Sequence, residues 1–343
     1  MDWRKASLMG FGLVMIALLL WWAGVGNVLE ILRNCNIPYL LLAGAMYVLG
    51  LLSWAMRWRV LIRSLNMDAP LKKIVLALLA GIFVNNVTPG ARGGGEPVRM
   101  YFLAKEMEKP YGQVLATVMV DRMLDLFPVV FMLVLSTAYV YYLGSLSLTL
   151  TIVALDVVFG ALVLVSLGIL LSESKTRRVL LWGYRVFERL IPGKAERYRE
   201  KFMRTLEVDV PRFQSDLRFL MGHKGAFLLA LFYSTASWMF TILRTYFTFL
   251  AINAPIGLVN VVVVQMVGIV VGIVSVIPGG AGIIEGVNSG VYVLLGIDKE
   301  VAVTATLLDR LISYWIPTGV GALVTTHFGA KLRRKSLIGK GRK

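Results

Sequence analysis

The 343 residues include one cysteine and two histidines, so the side chains that most often carry metals and redox chemistry are nearly missing. Cys35 alone excludes an intrachain disulfide and any cysteine-based metal cluster within one chain. His223 and His327 stand at the ends of apolar runs and form no ligand pair, so neither a metal nor a cofactor is expected. No phosphate loop after a strand, no Cys-His pair and no Ser-His-Asp set can be recognised, which makes an enzyme the less expected reading. Acidic residues are also few: 20 Asp and Glu stand against 36 Lys and Arg, a net charge of +16. Low-complexity tracts are absent, and only the basic tail reads as disordered.

The chain is rich in apolar sequence. With 57% hydrophobic residues, its length describes one integral-membrane domain over 1–343 rather than two soluble ones. A span takes about 20 helical residues, and such runs lie at 6–26, 38–56, 113–138, 148–171, 225–250 and 301–327. The first has Arg4 and Lys5 before it but a long core and a weak cleavage pattern, so it reads as a retained span. Two further runs, 74–87 and 258–277, each end at a Pro-Gly turn and lead into a shorter, Gly-rich helix.

In a soluble protein the positive charge would suggest nucleic acid; here its placement answers to membrane orientation instead. Basic residues crowd 57–73, 175–224 and the tail from Lys331, while the opposite connections hold only Arg33 and Lys299. The crowded segments and both termini are expected in the cytoplasm, at the cell membrane. That assignment requires each Pro-Gly element to return to the side it entered from. If 74–87 crossed alone, the basic segment at 175–224 would lie outside, against the charge rule. The expected fold is all-α and polytopic: six full spans plus two opposed re-entrant hairpins.

The chain also repeats itself. Thr88-Pro89-Gly90, Gly94, Gly95 and Glu96 precede Asp121-Arg122 and Pro128; Pro278-Gly279-Gly280, Gly282 and Glu285 precede Asp309-Arg310 and Pro317 in the same order. Upstream, Ser53-Trp54, Arg59 and Pro70 correspond to Ser237-Trp238, Arg244 and Pro255. Repeat one covers 38–142, repeat two 224–328, and an amphipathic cytoplasmic segment, 172–223, joins them. Phe202, Leu206, Val210, Phe213, Leu217 and Leu220 recur there at helical spacing, which suits a helix lying on anionic lipid or a simple connector. Because one hairpin starts from the cytoplasm and the other from outside, the copies form an inverted-topology repeat, an arrangement typical of transporters.

Non-helical backbone at membrane depth must be buried in protein or line a wet cavity. Gly90, Gly93, Gly94, Gly95, Gly279, Gly280 and Gly282 therefore place two tips around a polar centre, where helix N-termini favour an anion. Close helix packing is the plainer account of the glycines, though it leaves the charges beside them unexplained. Arg92, Arg99, Arg122 and Arg310 are candidates to hold a phosphate, since a guanidinium binds its oxygens bidentately. Glu96, Asp121, Glu285 and Asp309 are candidates for gating or proton coupling. Structural ion pairing, of Arg122 with Asp125 or of one Asp-Arg helix with the other, competes with both readings. Asp156, alone in an apolar run, calls for a basic partner or a proton.

These Pro-Gly tips with their glutamates, together with the two Asp-Arg helices, resemble the flippase-like family that includes the membrane region of bacterial lysylphosphatidylglycerol synthases. The resemblance covers nearly the whole chain and implies movement or display of phospholipids between leaflets. The sequence ends soon after its last span, so the synthase reaction does not carry over. The expected function is a transporter of an anionic, phosphate-bearing lipid, with membrane lipids as partners, no nucleic acid, and a homo-oligomer left open. A polyprenyl-phosphate or small-anion transporter is the first alternative; a membrane enzyme or an accessory subunit of a lipid-modifying or lipid-linked glycosylation pathway is the second.

Overall fold

The computed structural model of the chain describes residues 14–88, 94–144, 146–190, 196, 199–200, 202–275 and 277–340. Every regular element among them is helical. Four helices are long and apolar enough to cross a membrane: α3 (Ile37–Ser64), α6 (Tyr111–Tyr142), α7 (Leu146–Leu170, over its part Thr149–Leu170) and α10 (Lys224–Ala251). A fifth is counted if α1 (Val14–Ala23) and α2 (Val25–Arg33) form one span, but they meet at 81°. Gly24, at φ 80°, makes that corner, so the expected straight span at 6–26 is broken; residues 6–13 lie outside the described part. The run expected at 301–327 is also interrupted. It consists of α13 (Lys299–Arg310), a π-helical turn over Leu311–Trp315 and α14 (Ile316–Lys340). Pro317 has no N–H to give the carbonyl four residues earlier, which loosens the ladder at that turn.

Between the long helices lie two hairpins, α4 (Leu71–Val87) with α5 (Gly95–Met107), and α11 (Leu258–Val274) with α12 (Ile283–Leu294). Their first arms have 17 residues each, roughly 25 Å of helix. The second arms have 13 and 12, and none reaches the roughly 30 Å of a hydrocarbon core.

The two halves interlock. Helices α3 and α10 run antiparallel along their length: Asn36 N–H donates to the Ala251 carbonyl at 2.6 Å, and Ser237 Oγ to the Gly50 carbonyl at 3.2 Å. A Cβ at Gly50 would sit 3.5 Å from Phe240 Cβ, an ordinary van der Waals contact, so the helices are packed closely at this level. Each hairpin's first arm packs on the long helix of the other half, α4 on α14 and α11 on α6. Pro128 inside α6 frees the Leu124 carbonyl, and Ser234 Oγ from α10 supplies the missing donor at 3.1 Å.

In the connecting segment the apolar positions at helical spacing pack on protein. After α8 (Glu173–Leu190), a π turn at Thr205–Asp209 leads into α9 (Val210–Gly222), which starts on Pro211. Leu206, Val210, Phe213, Leu217 and Leu220 are buried, with α9 packed on α6, because the underside of α6 offers them apolar surface without the entropy of a separate lipid-docked helix. Phe202 stacks on Tyr184 at 4.3 Å. Among the described residues Asp156 is met not by a basic residue but by Thr137 Oγ1, which donates to it at 2.5 Å.

Candidate functional site

The first half builds a charged network around α6. Asp121, fully buried, accepts from Arg57 Nε of α3 at 2.6 Å, Arg99 of α5 at 2.6 Å and Trp54 Nε1 at 2.9 Å. Arg99 lies 4.9 Å from the Trp58 ring centroid and donates to the Val118 carbonyl at 3.3 Å. One turn along, Asp125 accepts from Arg57, from Ser234 Oγ at 3.3 Å and from Trp238 Nε1 at 3.2 Å. Arg57, Asp121 and Arg99 thus tie α3, α5 and α6 together, and Asp125 extends the tie to α10. Arg122 points the other way. Its Nε donates to Glu96 Oε1 at 2.7 Å, a second nitrogen reaches the same oxygen, and Asp125 stands 3.6 Å off.

The second half repeats the pairs more sparsely. Arg244 of α10 grips Asp309 through both carboxylate oxygens, at 2.8 and 2.9 Å, and Thr245 Oγ1 adds a bond of 2.8 Å. Arg310 Nε donates to Glu285 Oε1 at 2.8 Å and its NH2 to the Gly279 carbonyl at 3.0 Å, while the Tyr314 ring centroid lies 4.0 Å away. Neither Asp-Arg helix pairs with the other: each Asp takes an arginine of its own half, as structural pairing demands of buried charge.

Three of the tip amides, those of Gly95, Gly280 and Gly282, are held within the protein. Glu285 Oε2 accepts the Gly282 N–H at 2.8 Å, Asn85 Oδ1 the Gly95 N–H at 2.6 Å, and the Ile277 carbonyl the Gly280 N–H at 2.9 Å. At Gly282 and Gly95 a side chain of the same hairpin, and at Gly280 a backbone carbonyl, thus supplies the acceptor that an incoming anion was expected to supply. Gly279, at φ 58°, has no room for a Cβ under the Tyr314 ring. At Gly94 a Cβ would come 2.6 Å from Thr88 Oγ1, so this glycine is needed for the turn itself. Gly90, Arg92 and Gly93 lie outside the described residues.

Between the halves lies a cavity of about 850 Å³. Arg122, Arg244 and Arg310 line it with Glu96, Asp125 and Asp309, joined by Asn85, Asn86, Gln265 and Asn288. Of the expected site residues, Arg122, Arg310, Glu96 and Asp309 come together here. Arg99, Asp121, Glu285 and the described tip glycines Gly94, Gly95, Gly279, Gly280 and Gly282 stand behind the lining. Arg57 is the residue that sequence reasoning placed elsewhere, among cytoplasmic charges, with Arg59 matched to Arg244. It is Arg57 that binds the aspartate as Arg244 does. The available signal was its setting, an arginine inside Trp54-Ala55-Met56-Arg57-Trp58.

A family model described as the lysylphosphatidylglycerol synthase TM region matches residues 9–321. The chain is 34% identical over 322 residues to a UPF0104 membrane protein of Pyrococcus horikoshii, covering 94% of this chain and 96% of that protein. It is 28% identical over 337 residues to one from Methanothermobacter thermautotrophicus, covering 98% of each. A third, from Methanocaldococcus jannaschii, is 28% identical over 339 residues, covering 97% of each. The chain belongs to the lysylphosphatidylglycerol synthase TM-region family.

Proposed function

We propose that this member of the family moves a phosphate-bearing lipid between the leaflets of the cell membrane, with both termini cytoplasmic and the two halves inverted about the membrane plane. The cavity carries the reading: about 850 Å³ of space between membrane helices, presenting three guanidinium groups. Charged side chains at such depth are costly, on the order of 2.5 to 3.5 kcal/mol each, and are kept where they serve a pathway or a partner. Each lining arginine is balanced by a carboxylate, so an anionic head group enters by exchange rather than by adding net charge. The antiparallel course of α3 and α10 supports the inverted arrangement. In this scheme the protein binds and releases its lipid unchanged, so it is a transporter and not an enzyme.

Reconstitution into vesicles with trace fluorescent phosphatidylglycerol, followed by a membrane-impermeant quencher, tests this. Faster exposure of the inner-leaflet label than in protein-free vesicles is the expected result, with a weaker effect on a neutral lipid. Phosphatidylglycerol that stays put while glycerol phosphate crosses would assign the cavity to small anions. Chemical conversion of the lipid would make the protein an enzyme.

A further inference from the structure

We propose that Glu96 stands in for the substrate's phosphate: it occupies Arg122 between substrates and is displaced when an anionic head group binds, whereas Glu285–Arg310 is a fixed brace. This rests on the transport reading above and divides the two pairs that the duplication makes look alike.

The pairs differ in everything except their chemistry. The side chains of Arg122 and Glu96 are 37% and 11% exposed; those of Arg310 and Glu285 are 9% and 1%. Both members of the first pair line the cavity, but only the arginine of the second does. Glu285 is anchored a second time by the Gly282 N–H at 2.8 Å, and Arg310 by the Gly279 carbonyl at 3.0 Å. Separating them would strip two hairpin-tip contacts as well as the ion pair. Glu96 has no such anchor: its Oε2 is buried without a hydrogen-bond partner among the described residues. A buried acceptor left unsatisfied is a cost carried by the pair as it stands, which lowers the cost of moving it.

Charge and shape favour the exchange. A phosphodiester carries one negative charge, as the carboxylate does, and offers two oxygens to the guanidinium fork. Asp125 is poorly placed to take Glu96's role, because Arg57, Ser234 and Trp238 already donate to it and Arg122 stands 3.6 Å away. Trp54, with its ring centroid 5.2 Å from the Arg122 guanidinium, gives the arginine a surface to rest on while its partner changes.

The test measures binding and stability on the same purified full-length protein, titrated with phosphatidylglycerol in detergent and, separately, with glycerol phosphate. Glu96→Gln removes the competing charge and should tighten phosphatidylglycerol binding about tenfold, the scale of one charge-assisted hydrogen bond. Arg122→Lys should weaken binding by a similar factor and leave the unfolding temperature near wild type. Glu285→Gln should lower the unfolding temperature and tighten nothing. A wild type that binds phosphatidylglycerol and a Glu96→Gln that binds it no better would overturn the exchange while leaving the transport reading standing. Tightening seen only with glycerol phosphate, with no phosphatidylglycerol bound, would keep the exchange and remove the lipid. Binding of neither ligand by the wild type would overturn both.

Discussion

Tyr314 joins the two halves of the molecule through Asn86: its hydroxyl donates to the Asn86 carbonyl at 3.2 Å across the cavity wall. The Asn86 side chain in turn donates to Thr318 Oγ1 at 2.7 Å, so the end of α4 is held by successive turns of the C-terminal helix. The same tyrosine ring rests on Arg310 at 4.0 Å. The π turn that carries Tyr314 therefore couples the tip of one hairpin to the charged centre of the other half.

Removing that hydroxyl with Tyr314→Phe keeps the ring on Arg310 and deletes the donor shared between the Asn86 carbonyl and, at 3.4 Å, the Pro278 carbonyl. A loss of about 1 kcal/mol in unfolding free energy is expected, the net worth of one neutral hydrogen bond. Thermal unfolding in detergent measures it, and a variant as stable as wild type would show that this hydroxyl adds nothing to the joint between the halves.

Asp121→Asn and Asp309→Asn probe the unequal networks. The first leaves two buried arginines, Arg57 and Arg99, short of charge; the second leaves Arg244. Breaking a buried pair costs about 3 to 5 kcal/mol, so both variants should unfold at lower temperature, Asp121→Asn lowest. Equal losses would mean that Arg99 draws little from Asp121.

Gly279→Ala and Gly286→Ala form a matched pair. Gly279 has φ 58° and the Tyr314 ring where a Cβ would go, whereas a Cβ at Gly286 meets nothing within 4 Å inside α12. The first substitution should abolish folding or transport, and the second should stabilise by about 0.5 to 1 kcal/mol through helix propensity. Tolerance of alanine at 279 would show that the second tip is not the tight turn described.

Topology is open to cysteine labelling in a Cys35→Ser background. Burial pushes the Cys35 thiol up from its usual range, so the native cysteine would react slowly and confuse the reading. A cysteine at exposed Tyr142 or Asp298 should react with an impermeant reagent applied to intact cells, and one at Lys109 or Lys224 should not. Labelling at Lys224 from outside would reverse the orientation inferred from Lys and Arg placement.

Much of the architecture was legible because membrane helices follow local rules. The apolar runs and Pro-Gly breaks correspond to α3, α4, α6, α7, α10 and α11, the run at 301–327 being divided into α13, a π turn and α14, and the charges at Glu96, Arg122, Asp309 and Arg310 do meet at one cavity. Three features were not legible. The corner at Gly24 and the π turn after Arg310 depend on what the neighbouring helices allow, not on hydropathy. Burial of Leu217 and Leu220 on α6, rather than in lipid, could not be told from periodicity, since both surfaces are apolar.

The sequence by itself determined that this is a helical membrane protein, that its Pro-Gly, Glu and Asp-Arg motifs occur twice in the same order, and that those charges are too costly to face lipid. Those conclusions need only composition, spacing and the energetics of hydrocarbon. Tertiary structure alone decided which partner each charge takes. Arg57 rather than Arg59 reaches Asp121, and the Gly95 and Gly282 amides close on Asn85 and Glu285 instead of remaining free. It also made the two Glu-Arg pairs unequal, one wrapped in backbone contacts and one open to the cavity. Partner choice depends on distances between helices set where Gly81 and Gly321 let backbones approach, a Cβ there meeting the Gly95 and Leu79 carbonyls at 3.1 and 2.3 Å, and such distances are a property of the packed assembly rather than of any one segment.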